Sequence, residues 1–199
     1  MSDELPPAAP ARQPWIVRML GPRPAESFGR QAAEVLRRTL WILPVELLLS
    51  AALTALGVNE GNAGADEIEA MVRRNALSSI AFAGVLAPAL EEAIFRWLPS
   101  QLSNLVLRRF EGMRWALGLS MAVAFAAIHN LKTEPGLGSV QLLLGMHLDI
   151  STLPATQFVF GILLWDLMRR YGLWACAFSH MLHNSILLGL ALLYLKGTP

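Results

Sequence analysis

The chain has 199 residues, of which 54% are hydrophobic and only 16% charged, and its net charge is +1. Soluble domains carry about 25% charged residues, so an ordinary water-soluble domain is a poor fit, and the near-neutral balance supplies no field for nucleic acid. The single cysteine, Cys176, excludes an internal disulfide and a cysteine-rich metal motif.

Residues 1–38 read as a separate tail that holds six of the twelve prolines and six arginines. No basic start is followed by an apolar run, so the tail does not read as a cleaved signal peptide. Its first part, "MSDELPPAAPARQP", is expected to be disordered. The later part, "ESFGRQAAEVLRR", has the pattern of a short amphipathic helix lying on a membrane surface.

Residues 39–199 form the membrane-embedded domain. About twenty residues of helix cross a bilayer's hydrocarbon core, which predicts spans at 39–58, 77–107, 115–131, 153–169 and 173–195. The second is too long for one straight span, so Pro88 is expected to kink it and "QLSNLVLRR" to emerge at the interface. The segment "VQLLLGMHLDI" is too short to cross and reads as interfacial or re-entrant. The expected fold is all-α: a polytopic helical bundle of about five transmembrane helices with short interfacial helices.

Eleven arginines, at 12, 18, 23, 30, 37, 38, 108, 109, 114, 169 and 170, fall on one side of these spans; Arg73, Arg74, Lys132 and Lys196 fall on the other. The positive-inside rule then puts the N-terminus in the cytoplasm. No internal repeat is visible, which argues against an inverted-repeat transporter.

The chemistry lies in the charges that these apolar segments carry. "LSSIAFAGVLAPAL" runs without a charge into "EEAIFR". A charge at the bilayer centre costs about 2.5–3.5 kcal/mol on insertion scales, so three together need a reason. Glu92 and Arg96 are four apart, share a helix face and can pair. Glu91 points about 100° away and lacks that partner. A carboxylate half-buried in an apolar wall suits a general base; a structural ion pair near an interface is the alternative.

The third span ends in "FAAIHN", with Phe125 and His129 on one face. The fifth carries "SHMLHN", with His180 and Asn184 on one face and His183 turned elsewhere. His147 reads as a surface residue. Glu46 and Asp166 are left without a role. Each buried polar group is least costly if it faces the others. Glu91 and His129 can hold and deprotonate a water, while His180 and Asn184 can donate to a developing oxyanion. That is peptide hydrolysis without a covalent intermediate. Ser179 and Ser185 lack a Gly-x-Ser-x-Gly context. Zinc on Glu91, His129 and His180 is chemically possible, but no HExxH helix supports it and no cofactor is expected. At about 1.5 Å per residue, Glu91 and His180 are placed about 10 Å from the cytoplasmic side and His129 about twice as deep.

Three motifs in this order, Glu91-Glu92-Ala-Ile-Phe-Arg96, Phe125-Ala-Ala-Ile-His129 and His180-Met-Leu-His183-Asn184, resemble the CPBP family of type II CAAX prenyl proteases and bacteriocin-processing or immunity relatives. The resemblance covers about residues 77–195. It implies an intramembrane glutamate-type endopeptidase with Glu91 as base, His129 as its partner on water, and His180 and Asn184 as oxyanion donors. Glu92, Arg96 and Phe125 would support the site. One departure is Trp165, at a place on the fourth helix where the resemblance leads one to expect a small residue.

The expected partners are a membrane-associated peptide or protein substrate and the bilayer. The Ala-, Leu- and Arg-rich composition points to a bacterial inner membrane and away from prenylated substrates. The competing reading is a non-catalytic peptide-binding, immunity or scaffold protein; a proton relay through Glu91, Glu46 and the histidines is a third.

Overall fold

The structure, a computed structural model, describes residues 27–58, 70, 72–106, 110–132, 139–141, 146–149 and 154–197. The proline-rich stretch 1–26 lies outside the described residues. Five long helices carry the fold: α1 (Phe28–Ala55), α2 (Ala76–Val106), α3 (Glu111–Ile128), α4 (Ala155–Tyr171) and α5 (Leu173–Gly197). Three strands, β1 (Leu131–Lys132), β2 (Ser139–Gln141) and β3 (His147–Asp149), form a small antiparallel sheet in the order β1-β3-β2 between α3 and α4. Where it is described, the segment read as interfacial or re-entrant is strand: Val140 pairs with Leu148 and Gln141 with His147.

Among the described residues, α1, α2 and α5 are long and apolar enough to cross a membrane, while α3 is a shorter apolar helix. At ~1.5 Å per residue, the shorter helices α3 and α4 reach only about 26 Å, just under the hydrocarbon thickness. The molecule is an integral membrane helical bundle.

Polarity in α1 is inverted relative to a soluble helix. Gln31, Val35, Thr39 and Ile42 are buried, a stripe at four- and three-residue steps. Trp41, Leu47 and Leu48, by contrast, are largely exposed. In lipid the apolar face turns outward, and polar or small groups mediate contact between helices. Thr39 bonds Ser179 of α5 at 2.7 Å within this contact. α1 is one unbroken helix from Phe28, so the amphipathic stretch and the first apolar stretch are a single element. It ends in a Schellman turn: Gly57 has φ 72°, and the Val58 N–H reaches back to the Leu53 carbonyl at 2.9 Å.

The helix α2 passes Pro88 and Pro99 without breaking. Just before each proline it widens into π-helix, over Ile80–Leu86 and Ala93–Trp97. A proline has no N–H, and its ring clashes with the carbonyl four residues back. A π turn shifts the bonding register by one residue and relieves that clash. The Ala87 N–H accordingly bonds the Phe82 carbonyl rather than that of Ala83. In this register Pro88 is the residue that should serve the Ala83 carbonyl, and it cannot. The Asn184 side chain of α5 supplies the missing donor, Nδ2 to the Ala83 oxygen, at 3.1 Å.

α4 packs between α3 and α5, with α1 against both α4 and α5. Buried Trp165 lies directly on Gly118 of α3, where any Cβ would overlap the indole. Glycine-172, with φ 92°, joins α4 to α5 in a single residue, a conformation open to glycine and strained for other residues. At one end of the bundle Asp166 accepts from Arg38 and Arg170, both at 2.7 Å, and Arg169 lies 4.8 Å over the Trp115 ring. The start of α1, the start of α3 and the end of α4 thus share one end of the bundle.

Two stability predictions follow from these contacts. Gly118→Ala should cost about 1–3 kcal/mol by overpacking and show as a lowered thermal midpoint in detergent; adding Trp165→Leu should recover part of it. Asn184→Ala should cost about 1–3 kcal/mol by leaving the Ala83 carbonyl without this donor. In a Pro88→Ala background, where a backbone N–H returns, the same change should cost measurably less.

Candidate active site

Glu92 and Arg96, both on α2 and both with 0% exposure, lie one turn apart. Arg96 Nη1 is 3.1 Å from Glu92 Oε1, the pairing that four-residue spacing predicts. The guanidinium carbon sits 4.0 Å over the Phe125 ring of α3, a cation–π contact. Gly161 of α4 gives the guanidinium room: a Cβ there would come within 3.2 Å of Arg96 Nη2. Glu92 Oε2 and Arg96 Nη2 have no hydrogen-bond partner among the described residues.

His180 of α5 meets the same carboxylate. Its Nδ1 is 2.8 Å from Glu92 Oε1, so Glu92 joins Arg96 on its own helix to an imidazole on another. With Glu92 ionised, Nδ1 carries the donated proton and Nε2 faces the other way. That nitrogen is 3.8 Å from Oε2 of Glu91, beyond hydrogen-bonding distance but within strong Coulomb reach. The neighbouring acids have opposite surroundings: the Glu92 side chain is fully buried, and that of Glu91 is 31% exposed.

His129 follows the last turn of α3. Its Nδ1 lies 2.7 Å from the Phe125 carbonyl, which can only accept, so Nδ1 bears the hydrogen. In the neutral ring Nε2 then keeps its lone pair and can act as acceptor or base. The Phe125 ring touches the His129 ring at 4.6 Å and the His180 ring at 5.7 Å between centroids. The depth mismatch of the sequence reading is thereby corrected: both imidazoles flank one phenyl ring. The estimate failed because it placed Glu91 too near the end of its helix. α2 continues to Val106, which puts Glu91 about 22 Å along the helix from that end.

Asn184 lies one turn beyond His180. Besides its bond to Ala83, its Oδ1 is 3.3 Å from His183 Nδ1. No hydrogen bond joins Asn184 to Glu91, His129 or His180 among the described residues. The second hydrogen of its amide has no acceptor among the described residues.

Sequence reasoning passed over Glu46 and His183. The structure pairs them at 2.6 Å, Glu46 Oε2 to His183 Nε2, across the α1–α5 contact. Two signals were present. Any ionisable group in an apolar helix seeks a partner, and Glu46 continues the buried α1 stripe four residues after Ile42. The His183 ring stacks on Phe160 at 4.2 Å, and the same phenyl meets His180 edge-on at 5.3 Å. Asp166 serves the ionic cluster at the end of the bundle and not this site. Among the described residues, no group of three or more His, Cys, Asp or Glu side chains is placed to hold a metal ion.

Comparison with known proteins addresses the same region. The family model for "Type II CAAX prenyl endopeptidase Rce1-like" matches residues 73–186, more than half of the chain and the whole stretch from Glu91 to Asn184. No curated protein and no solved structure matches the chain. An apolar helical bundle agrees with that match: this chain belongs to the Rce1-like family of type II CAAX prenyl endopeptidases, within the wider CPBP family of intramembrane proteases.

Proposed function

We propose that the chain is an intramembrane endopeptidase of the glutamate type, cleaving a membrane-associated peptide or protein by an activated water. The observation that carries this reading is the split of two adjacent acids around one imidazole. Fully buried Glu92 holds His180 through Nδ1, and partly exposed Glu91 stands 3.8 Å from its Nε2. In this mechanism Glu91 takes a proton from water as the water attacks the peptide carbonyl. His129 Nε2 accepts the second hydrogen bond of that water, a role supported by the tautomer that the Phe125 carbonyl imposes. The oxyanion is met by His180 Nε2, which donates when the ring carries both protons, and by the free amide hydrogen of Asn184. Glu91 then passes its proton to the leaving amine.

No metal is invoked in this mechanism. The arginine-rich end of the bundle, which includes Arg38, Arg169 and Arg170, is assigned to the cytoplasm, with the N-terminus on that side of a bacterial inner membrane. The substrate class is a peptide held near the membrane, with no requirement for a prenyl group.

The test uses the purified protein in liposomes with two quenched-fluorescent peptides, one S-prenylated near its carboxyl end and one unmodified with an apolar anchor. Glu91→Gln should lower cleavage by about 10²–10⁴-fold while the thermal midpoint stays near that of the wild type. Cleavage should continue in a zinc chelator. Wild-type rates in Glu91→Gln would overturn the reading, and loss of activity in the chelator would favour zinc on Glu91, His129 and His180.

A further inference from the structure

We propose that Glu46 and His183 are positioning residues that hold the Asn184 amide in the sense needed for catalysis; the inference rests on the protease reading only for its kinetic consequence. The bonds run in series across three helices. Glu46 of α1 meets His183 Nε2 at 2.6 Å, His183 Nδ1 meets Asn184 Oδ1 at 3.3 Å, and Asn184 Nδ2 reaches the Ala83 carbonyl of α2 at 3.1 Å.

Chemistry fixes the direction of each link. The Ala83 carbonyl only accepts, so the amide atom facing it is nitrogen and the atom facing His183 is oxygen. An amide oxygen also only accepts, so His183 Nδ1 carries a hydrogen. Its Nε2 then shares one further proton with Glu46. The pair is imidazolium with carboxylate or imidazole with carboxylic acid, and neither form has a net charge. That neutrality lets the two groups lie in an apolar bundle, with side chains 8% and 12% exposed.

Two anchors of opposite character therefore grip one amide. Ala83 draws the nitrogen and His183 draws the oxygen. Stacking of His183 on Phe160 at 4.2 Å fixes the plane of the imidazole. The Glu46 carboxylate holds the protonation state in which Nδ1 donates. Without His183 the amide keeps one anchor, and the hydrogen left for an oxyanion is free to swing. Neither Glu46 nor His183 touches Glu91, His129 or the reacting atoms; both act through Asn184.

The test is a double-mutant cycle on the full-length protein in liposomes with the two peptides above. His183→Phe keeps an aromatic ring on Phe160 and removes both nitrogens; Glu46→Gln keeps the shape and removes the charge. Each should lower kcat by about tenfold with KM changed less than about twofold, a fraction of what removal of a whole oxyanion donor costs. In an Asn184→Ala background both effects should vanish, because the residue they act through is gone. A tether between helices would instead lower the folded fraction, leave kcat per folded molecule unchanged, and multiply with Asn184→Ala; that result overturns the proposal. If wild type cleaves neither peptide, the protease reading fails by itself. The relay is then judged by the same cycle in thermal unfolding: a non-additive His183–Asn184 term upholds it, and additive shifts overturn it.

Discussion

The carboxylate of Glu92 has no exposure to solvent, on a helix whose outer face meets lipid, and the packing of four helices follows from satisfying it. An ionised group in such a place is tolerated only with close partners. Glu92 Oε1 has two, Arg96 Nη1 at 3.1 Å and His180 Nδ1 at 2.8 Å. The first comes from its own helix and shields charge locally. The second comes from α5 and ties the helices together. Arg96 in turn lies on the Phe125 ring of α3, and Gly161 of α4 spares it a crowding side chain. A site that joins α2, α3, α4 and α5 thus grows from one buried acid and the groups that neutralise it.

The rest of the bundle obeys the same economy of polar groups. Among its most deeply buried residues are Gln31, Thr39, Ser79, Ser179 and Asn130, while Trp41, Leu47, Leu48 and Leu105 face outward. In lipid, burying leucine against leucine gains little, so close fit and hydrogen bonds between helices must supply the specificity. The Thr39–Ser179 bond and the seat of Trp165 on Gly118 are the clearest cases. Trp165 departs from the small residues that the resemblance led one to expect, yet it fills space that Gly118 leaves on the facing helix.

What could be read from the sequence was what depends on local spacing. Apolar runs located α2 to α5 to within a few residues, while α1 begins at Phe28, well before the predicted span at 39. Four-residue spacing gave the Glu92–Arg96 pair and the shared face of Phe125 and His129. What could not be read depends on which helix lies against which. Glu46 and His183 are 137 positions apart, and no periodicity links them. The π turns are a second case. Pro88 was legible as a disturbance, but whether a helix answers a proline by kinking or by widening depends on whether a neighbour can serve the orphaned carbonyl. Here the neighbour is Asn184, and its bond to Ala83 belongs to tertiary structure. The three short strands were missed because so few residues make a sheet only when their partners are already in place.

One turn of α5 therefore carries two carboxylate–imidazole pairs that serve different ends. His180 turns toward Glu92 of α2 and His183 toward Glu46 of α1, because a three-residue step separates their directions around the helix. Phe160 stands against both rings, edge-on to His180 at 5.3 Å and stacked on His183 at 4.2 Å. A phenyl ring fixes both imidazole planes by contact yet has neither an N–H nor an oxygen to relay a proton. The pair facing Glu91 and the pair facing Asn184 are thus held in one rigid frame without a hydrogen-bonded path through the ring between them. In the mechanism proposed above, a proton exchanged at His180 Nε2 would therefore leave the bond from His183 to Asn184 in place.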